Sequence, residues 1–318
     1  MTKPLRDGQI FSLSPAERCT VWAGRRMGPA AVGERRLFAP DVSISDGRGV
    51  CGPLAQVARQ LGPCLLGEGA HGRGPGCVPI TIKLLDVGEW LSLQVHPESV
   101  AARAECAASL EMTEAWVILD ADAGSRVIHG LQRELDQAVL RAPDLAHSLG
   151  AYARFVAPQR GDVFFVPPGM VHALGPSLLV YEVAQHADVT YRLYDWGRSE
   201  SLSRPLAIEC GLVATDLSAV GGHTSPAPAT TGSASMNELL LRSDAYDVRR
   251  VRIGDDELRL ETGGGCQVIT TVSGEVTVRT SCAQRTLGRH ASALIPAATS
   301  EYRLGGAPGA VALLTIPR

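Results

Sequence analysis

Gln94 and His96 stand two residues apart in LSLQVHPESV, residues 91–100, an alternating apolar stretch that stops at Pro97. Successive strand side chains face opposite ways, so the amide and the imidazole share one face while Leu93 and Val95 share the other. Together with Glu114 and His172 they form a donor set for a divalent, zinc-like ion, although glutamine is an uncommon zinc ligand. A dication with one carboxylate and three neutral donors retains about one positive charge, which suits stabilisation of a developing oxyanion. The plainer reading is that each histidine is a hydrogen-bonded core or surface residue and that Gln94 caps a sheet edge. A dioxygenase-type H-x-H site with a glutamate close behind is disfavoured, because Gln94 takes the first position and Glu114 lies beyond a helical segment.

Other residues carry charge where charge is unexpected. The chain has 30 basic residues, of which only Lys3 and Lys83 are lysines. Lys83 sits inside the apolar run VPITIKLLDV, so its ammonium has a purpose there. The segment 182–198, EVAQHADVTYRLYDWGR, gathers Glu182, Asp188, Arg192, Asp195 and Arg198 among aromatic residues. One reading is a solvated turn whose charges pair at the surface. The other is an anion- and sugar-facing loop, with arginine as a planar fork and Asp188 orienting it.

These residues need a β scaffold. Residues 78–96 read as short Val-, Ile- and Leu-rich strands, WVILDA and SRVIHG as strands around a turn at Asp122–Gly124, and GDVFFVPPGMVHAL as two strands around Pro-Pro-Gly. Helices are expected over 98–110 and 130–152, the latter interrupted by Pro143. Residues 215–236 are rich in Ser, Thr, Ala, Gly and Pro and read as a linker or exposed loop. Beyond them come short strands at near-regular spacing, the pattern of a sandwich or barrel. The expected organisation is therefore 1–214 as a metal-binding catalytic domain with helical insertions, 215–236 as the linker and 237–318 as a C-terminal β domain.

Composition removes several classes of function. A length of 318 residues supports one large or two modest domains, and a net charge of −3 with 20% charged residues lacks the basic excess of a nucleic-acid binder. No stretch has the run of about eighteen apolar residues a membrane span needs, and the polar start lacks a secretory core. Nucleic acid and membrane are thus not expected partners, and a cytoplasmic location is. Eight scattered cysteines without a C-x-x-C pair read as reduced, structural thiols.

The sequence resembles the type I mannose-6-phosphate isomerases in their short bacterial form. VWAGRRM resembles that family's W-G-G-x-x-L, with Ala23 in place of a glycine, and ITIKLLDVGEWLSLQVHPE its K-x-x-D-x-x-x-x-L-S-x-Q-V-H-P. TEAW, GDVFFVPPGMVHAL and DVTYRLYDWGR resemble its K-T-E-x-W, G-D-x-x-x-x-P-x-G-x-V-H-A-L and S-D-T-T-Y-R-x-Y-D-W-x-R. The resemblance implies a mainly β fold of cupin-type barrels or jelly rolls with helical insertions. It also implies one Zn2+ per chain, or another divalent ion, on Gln94, His96, Glu114 and His172. Lys83, Asp188 and Arg192 would stand in the active site, with Glu182 a further candidate base.

The implied reaction is interconversion of mannose 6-phosphate and fructose 6-phosphate through a cis-enediol, with a sugar phosphate as the partner. One departure stands out: Met112 replaces the lysine of K-T-E-x-W and supplies no charge, leaving Arg103 or Arg198 as substitute cations. His186 stands where the family tends to have a small hydroxyl residue. Alternatives are an isomerase of a different or unphosphorylated sugar and a non-catalytic metal- and sugar-binding cupin.

Overall fold

In the computed structural model, residues 5, 7–97, 112–132, 151–185, 189–199, 204–225 and 233–318 are described, and they are mainly β. The helix expected at 98–110 lies outside these residues, as do Arg103, His186 and Asp188. Of the helix expected over 130–152, residues 133–150 lie outside, and its first residues instead end the strand Val127–Leu131.

Contacts divide the chain into two compact units, one of residues 1–16, 36–82 and 227–318 and one of 17–35 and 83–226. One of the boundaries, between residues 226 and 227, falls inside 215–236, while the first unit also takes in residues 1–16 and 36–82. The strand Phe11–Ser14 pairs with Ser292–Ile295, placing Leu13 opposite Ser292. The start of the chain therefore folds with its last third, a pairing that no local sequence pattern reveals. This first unit holds an eight-stranded and a four-stranded sheet. Their apolar faces enclose a core that includes Ile10, Val251, Ile269, Val278, Tyr302 and Leu314.

The stretch 215–236 is not a featureless linker. Gly222–Thr224 forms a strand that pairs with Val163–Phe165. A Cβ at neighbouring Gly221 would stand 2.5 Å from both His129 Nε2 and the Phe165 carbonyl oxygen, so glycine is there for close approach. Residues 226–232 fall outside the described segments, and Met236 already opens the next strand.

The second unit is built on two sheets. The five-stranded one runs Ala153–Val156, Val127–Leu131, His172–Leu174, Leu93–Val95, Tyr191–Tyr194. The seven-stranded one includes, as neighbours in order, Val163–Val166, Glu114–Ala121, Leu178–Gln185 and Ile80–Val87. Leu93, Val95, Tyr191, Leu193 and Ala173 pack on one face of the five-stranded sheet together with Leu212 of the helix Ile208–Ala214. A second cluster, with Trp116, Ile118, Val127, Phe164, Leu174 and Val180, fills the other side. Strand alternation thus turns Leu93 and Val95 one way and Gln94 and His96 the other, as the sequence pattern requires.

The W-A-G segment is tied to the strand Ile80–Val87 by close packing. A Cβ at Gly24 would lie 1.9 Å from Asp86 Oδ1, and Asp86 accepts a hydrogen bond from the Met27 N–H at 2.6 Å. Ala23 makes a bridge to Val87.

Among the described residues six cysteines are free thiols, but Cys210 is disulfide-bonded, a correction to the expectation of reduced thiols. No described helix is long and apolar enough to cross a membrane.

Candidate active site and metal centre

The strand register explains how distant residues meet. In the five-stranded sheet His129 lies opposite His172, His172 opposite Gln94, and Gln94 opposite Arg192. One cross-strand row therefore brings together residues up to 98 positions apart in sequence, with His96 two places along the same face as Gln94. In the seven-stranded sheet, Trp116 lies opposite Glu182 and Glu114 opposite Ala184, so Glu114, Trp116 and Glu182 share a face. Lys83 comes from the neighbouring strand.

His96, Glu114 and His172 converge, with one donor atom from each lying within 4.8 Å of the others. All three are buried. His96 Nδ1–H donates to the Val189 carbonyl at 2.9 Å, and His172 Nδ1–H donates to the Met170 carbonyl at 2.9 Å. These bonds set the tautomer and leave each Nε2 as a lone pair aimed into the site, the usual outer support of metal-bound histidine. His96 Nε2 is 2.9 Å and His172 Nε2 3.8 Å from Glu114 Oε2. Two ring lone pairs facing a carboxylate repel unless a cation or an added proton lies among them. The donor set therefore fits a divalent ion.

Gln94 completes the group. Its amide nitrogen lies 3.2 Å from His172 Nε2, and its oxygen accepts from Ser92 Oγ at 3.1 Å. Exchanging the amide's two ends turns the oxygen inward and leaves the nitrogen donating to Ser92, so the site admits Gln94 as an oxygen donor. Glu114 is clamped from behind by the Trp116 indole N–H, which donates to Oε1. Burial alone would raise the Glu114 carboxyl, but positive charge between it and the rings, a proton shared with His96 Nε2 or a bound cation, outweighs burial and holds the group well below the usual carboxylate range. Burial pushes the His172 imidazole down to about 4, so it stays neutral.

Beside this group Lys83 Nζ donates to Glu182 Oε1 at 2.7 Å. Burial disfavours the Lys83 ammonium, yet the Glu182 charge more than offsets it and its pKa is raised. The Glu182 carboxyl is raised by burial first and by the charge of Glu114 second. Arg192 is half-buried, and its Nε has no hydrogen-bond partner among the described residues.

Gln94, His96, Glu114, Lys83, Glu182 and Arg192 line one cavity of about 400 Å³, which Arg18, Met112 and Arg204 also border. That volume is in the range of small-molecule sites. A larger hollow of about 610 Å³, bordered by His129, Arg154 and Val220, gathers no comparable acid–base set.

The sequence-derived candidates Gln94, His96, Glu114, His172, Lys83, Glu182 and Arg192 are thus brought to one place, and Asp188 lies outside the described residues. Arg198 does not replace the missing lysine. It is held by Asp195 at 2.8 Å and the Trp90 carbonyl, away from the cavity. Sequence reasoning missed Trp116 and Arg204. The E-x-W spacing was a signal for the first, since residues two apart on a strand share a face.

Fold and site together define a mainly β protein with a buried histidine–carboxylate metal centre between two sheets of one unit. No family model matches the chain. It is 27% identical over 235 residues to the mannose-6-phosphate isomerase of Streptococcus mutans, covering 72% of this chain and 71% of that one. It is 35% identical over 127 residues, about 39% of each chain, to the mannose-6-phosphate isomerase ManA of Bacillus subtilis. Among solved structures, mannose 6-phosphate isomerase from Bacillus subtilis matches with a TM-score of 0.82 at 20% identity, covering 96% of this chain and 99% of that one. A zinc-bound mannose 6-phosphate isomerase matches with a TM-score of 0.72 at 13% identity, covering 98% and 100%. The chain is a homologue of the mannose-6-phosphate isomerases and shares their fold.

Proposed function

We propose that this protein is a metal-dependent aldose–ketose isomerase that interconverts mannose 6-phosphate and fructose 6-phosphate through a cis-enediol. The observation that carries the reading is the convergence of two tautomer-fixed histidines and Glu114 beside the Lys83–Glu182 pair, in a homologue of enzymes named for this reaction.

His96 Nε2, His172 Nε2, a Glu114 oxygen and the Gln94 amide oxygen would hold Zn2+. When bound, the ion would supply positive charge that stabilises an oxyanion on the substrate. Glu182 is the base: it borders the cavity beside Lys83, and burial raises its carboxyl, which brings proton affinity towards that needed to accept a C2 proton at neutral pH. As Glu182 takes that proton, the carbonyl oxygen on C1 receives one from Lys83. The transfers assist each other, because protonating Glu182 removes the charge that holds the proton on Lys83. The proton on O2 then returns to Lys83 as the C2 carbonyl forms, and Glu182 delivers its proton to C1. Arg192, which borders the cavity, stabilises negative charge on the substrate oxygens.

A second reading, isomerisation of a different or unphosphorylated sugar, rests on Met112, which is buried and borders the cavity where the related pattern has a lysine. Assays with mannose 6-phosphate and with unphosphorylated mannose, before and after chelation, separate the two. Chelator-sensitive turnover of the phosphorylated sugar alone supports the first reading. Turnover of mannose alone replaces it with the second.

A further inference from the structure

Met112 removes a cation from a cavity that, on the isomerase reading, must hold a phosphate. Arg204 borders the same cavity. It is placed by backbone pairing, since the Ala207 N–H donates to the Arg192 carbonyl at 2.9 Å and so brings the segment that begins at Arg204 alongside the strand Tyr191–Tyr194.

The Arg204 side chain is pre-oriented. Its Nε and Nη2 donate to Asp195 Oδ2 and Oδ1 at 3.1 and 2.7 Å, and Asp195 is buried. That uses one of the two edges on which a guanidinium can grip an oxyanion. The other edge, formed by Nη1 and the second Nη2 hydrogen, has no acceptor among the described residues. Arg192 stands close enough for Arg204 to depress its pKa, after the larger effect of burial. Asp195 is shared by Arg204 and Arg198, but Arg198 also pairs with Glu89 at 3.5 Å and does not border the cavity, whereas Arg192 and Arg204 both do and together carry more positive charge than Asp195 balances. An anion is the group such a cluster lacks.

We infer that Arg204, held by Asp195, presents its remaining edge to the phosphate of the sugar phosphate and sets preference for the phosphorylated substrate in place of the lysine that Met112 replaces. This rests on the isomerase reading. Arg204 would be a specificity-determining residue and Asp195 its positioning residue.

The test uses the metal-loaded full chain carrying Arg204→Gln or Arg204→Lys, with Arg198→Gln as control for charge loss at the same carboxylate. Steady-state kinetics with mannose 6-phosphate and calorimetric binding of inorganic phosphate are measured on each. The expected result is a KM raised at least about tenfold by Arg204→Gln, the scale of a lost charged hydrogen bond. The kcat should change less than KM, phosphate binding should weaken in parallel, Arg204→Lys should be intermediate, and Arg198→Gln should lie within about twofold of the parent. Unchanged KM and unchanged phosphate binding in folded Arg204 variants overturn the inference, as does an equal effect from Arg198→Gln. If the parent turns over no mannose 6-phosphate, the isomerase reading fails. Calorimetry then still decides for or against Arg204 as the anion anchor.

Discussion

Glu182 and Lys83 show how a charge pair can be both buried and reactive. A lysine and a glutamate in an apolar environment are costly unless paired, and the 2.7 Å contact between them supplies the pairing. Replacing Glu182 by Gln keeps the shape and removes the base. The expected outcome is a kcat lowered by about 10²–10⁴-fold with metal content unchanged, read by turnover and by loss of C2 proton exchange with solvent. Trp116 acts one step further out. Trp116→Phe deprives Glu114 Oε1 of its indole donor, and metal affinity measured by competition with a chelator should fall by about 10–100-fold. That Gln94, His96, Glu114 and His172 would come together was legible in the sequence, because the motifs around them are distinctive. Arg204 was not, because nothing local to RPLAIE shows that Asp195 will turn it towards a cavity.

At the scale of the element, alternation in LSLQVHPESV was enough to sort Leu93 and Val95 from Gln94 and His96. The register that sets His172 beside Gln94 and Gln94 beside Arg192 was not readable, because cross-strand pairing depends on residues far away in sequence. Close packing of glycines was also invisible. Gly24→Ala would force a methyl into Asp86, which must move or break its bond to the Met27 N–H. The expected loss of stability is about 1–3 kcal/mol, read by denaturant unfolding. His129 gives the element a pH response. Burial pushes its imidazole down to about 4 from an ordinary value near 6.5, so the folded protein holds it neutral. The unfolded chain binds that proton more readily, and stability must fall as pH drops from about 6.5 towards 4. The contribution is up to about 3 kcal/mol, and the acid limb of the melting-temperature profile should flatten in His129→Gln.

At the scale of the whole molecule, the mainly β class was readable from short strands at regular spacing. Compositional bias in 215–236 marks a stretch that contains one division between the units, at 226/227. What local composition does not carry is the strand pairing that takes Phe11–Ser14 to Ser292–Ile295 and joins the start of the chain to its last third. Deleting residues 1–14 should leave Ser292–Ile295 with an open edge and a core that has lost Ile10. The expected outcome is a lower melting temperature and greater aggregation than in the full chain, checked by calorimetry and light scattering.

The most direct measurement is turnover of mannose 6-phosphate to fructose 6-phosphate by the zinc-loaded protein, with a chelated sample beside it. The account predicts turnover that chelation abolishes and zinc restores. No turnover by a folded sample with the metal bound at His96, Glu114 and His172 would contradict it.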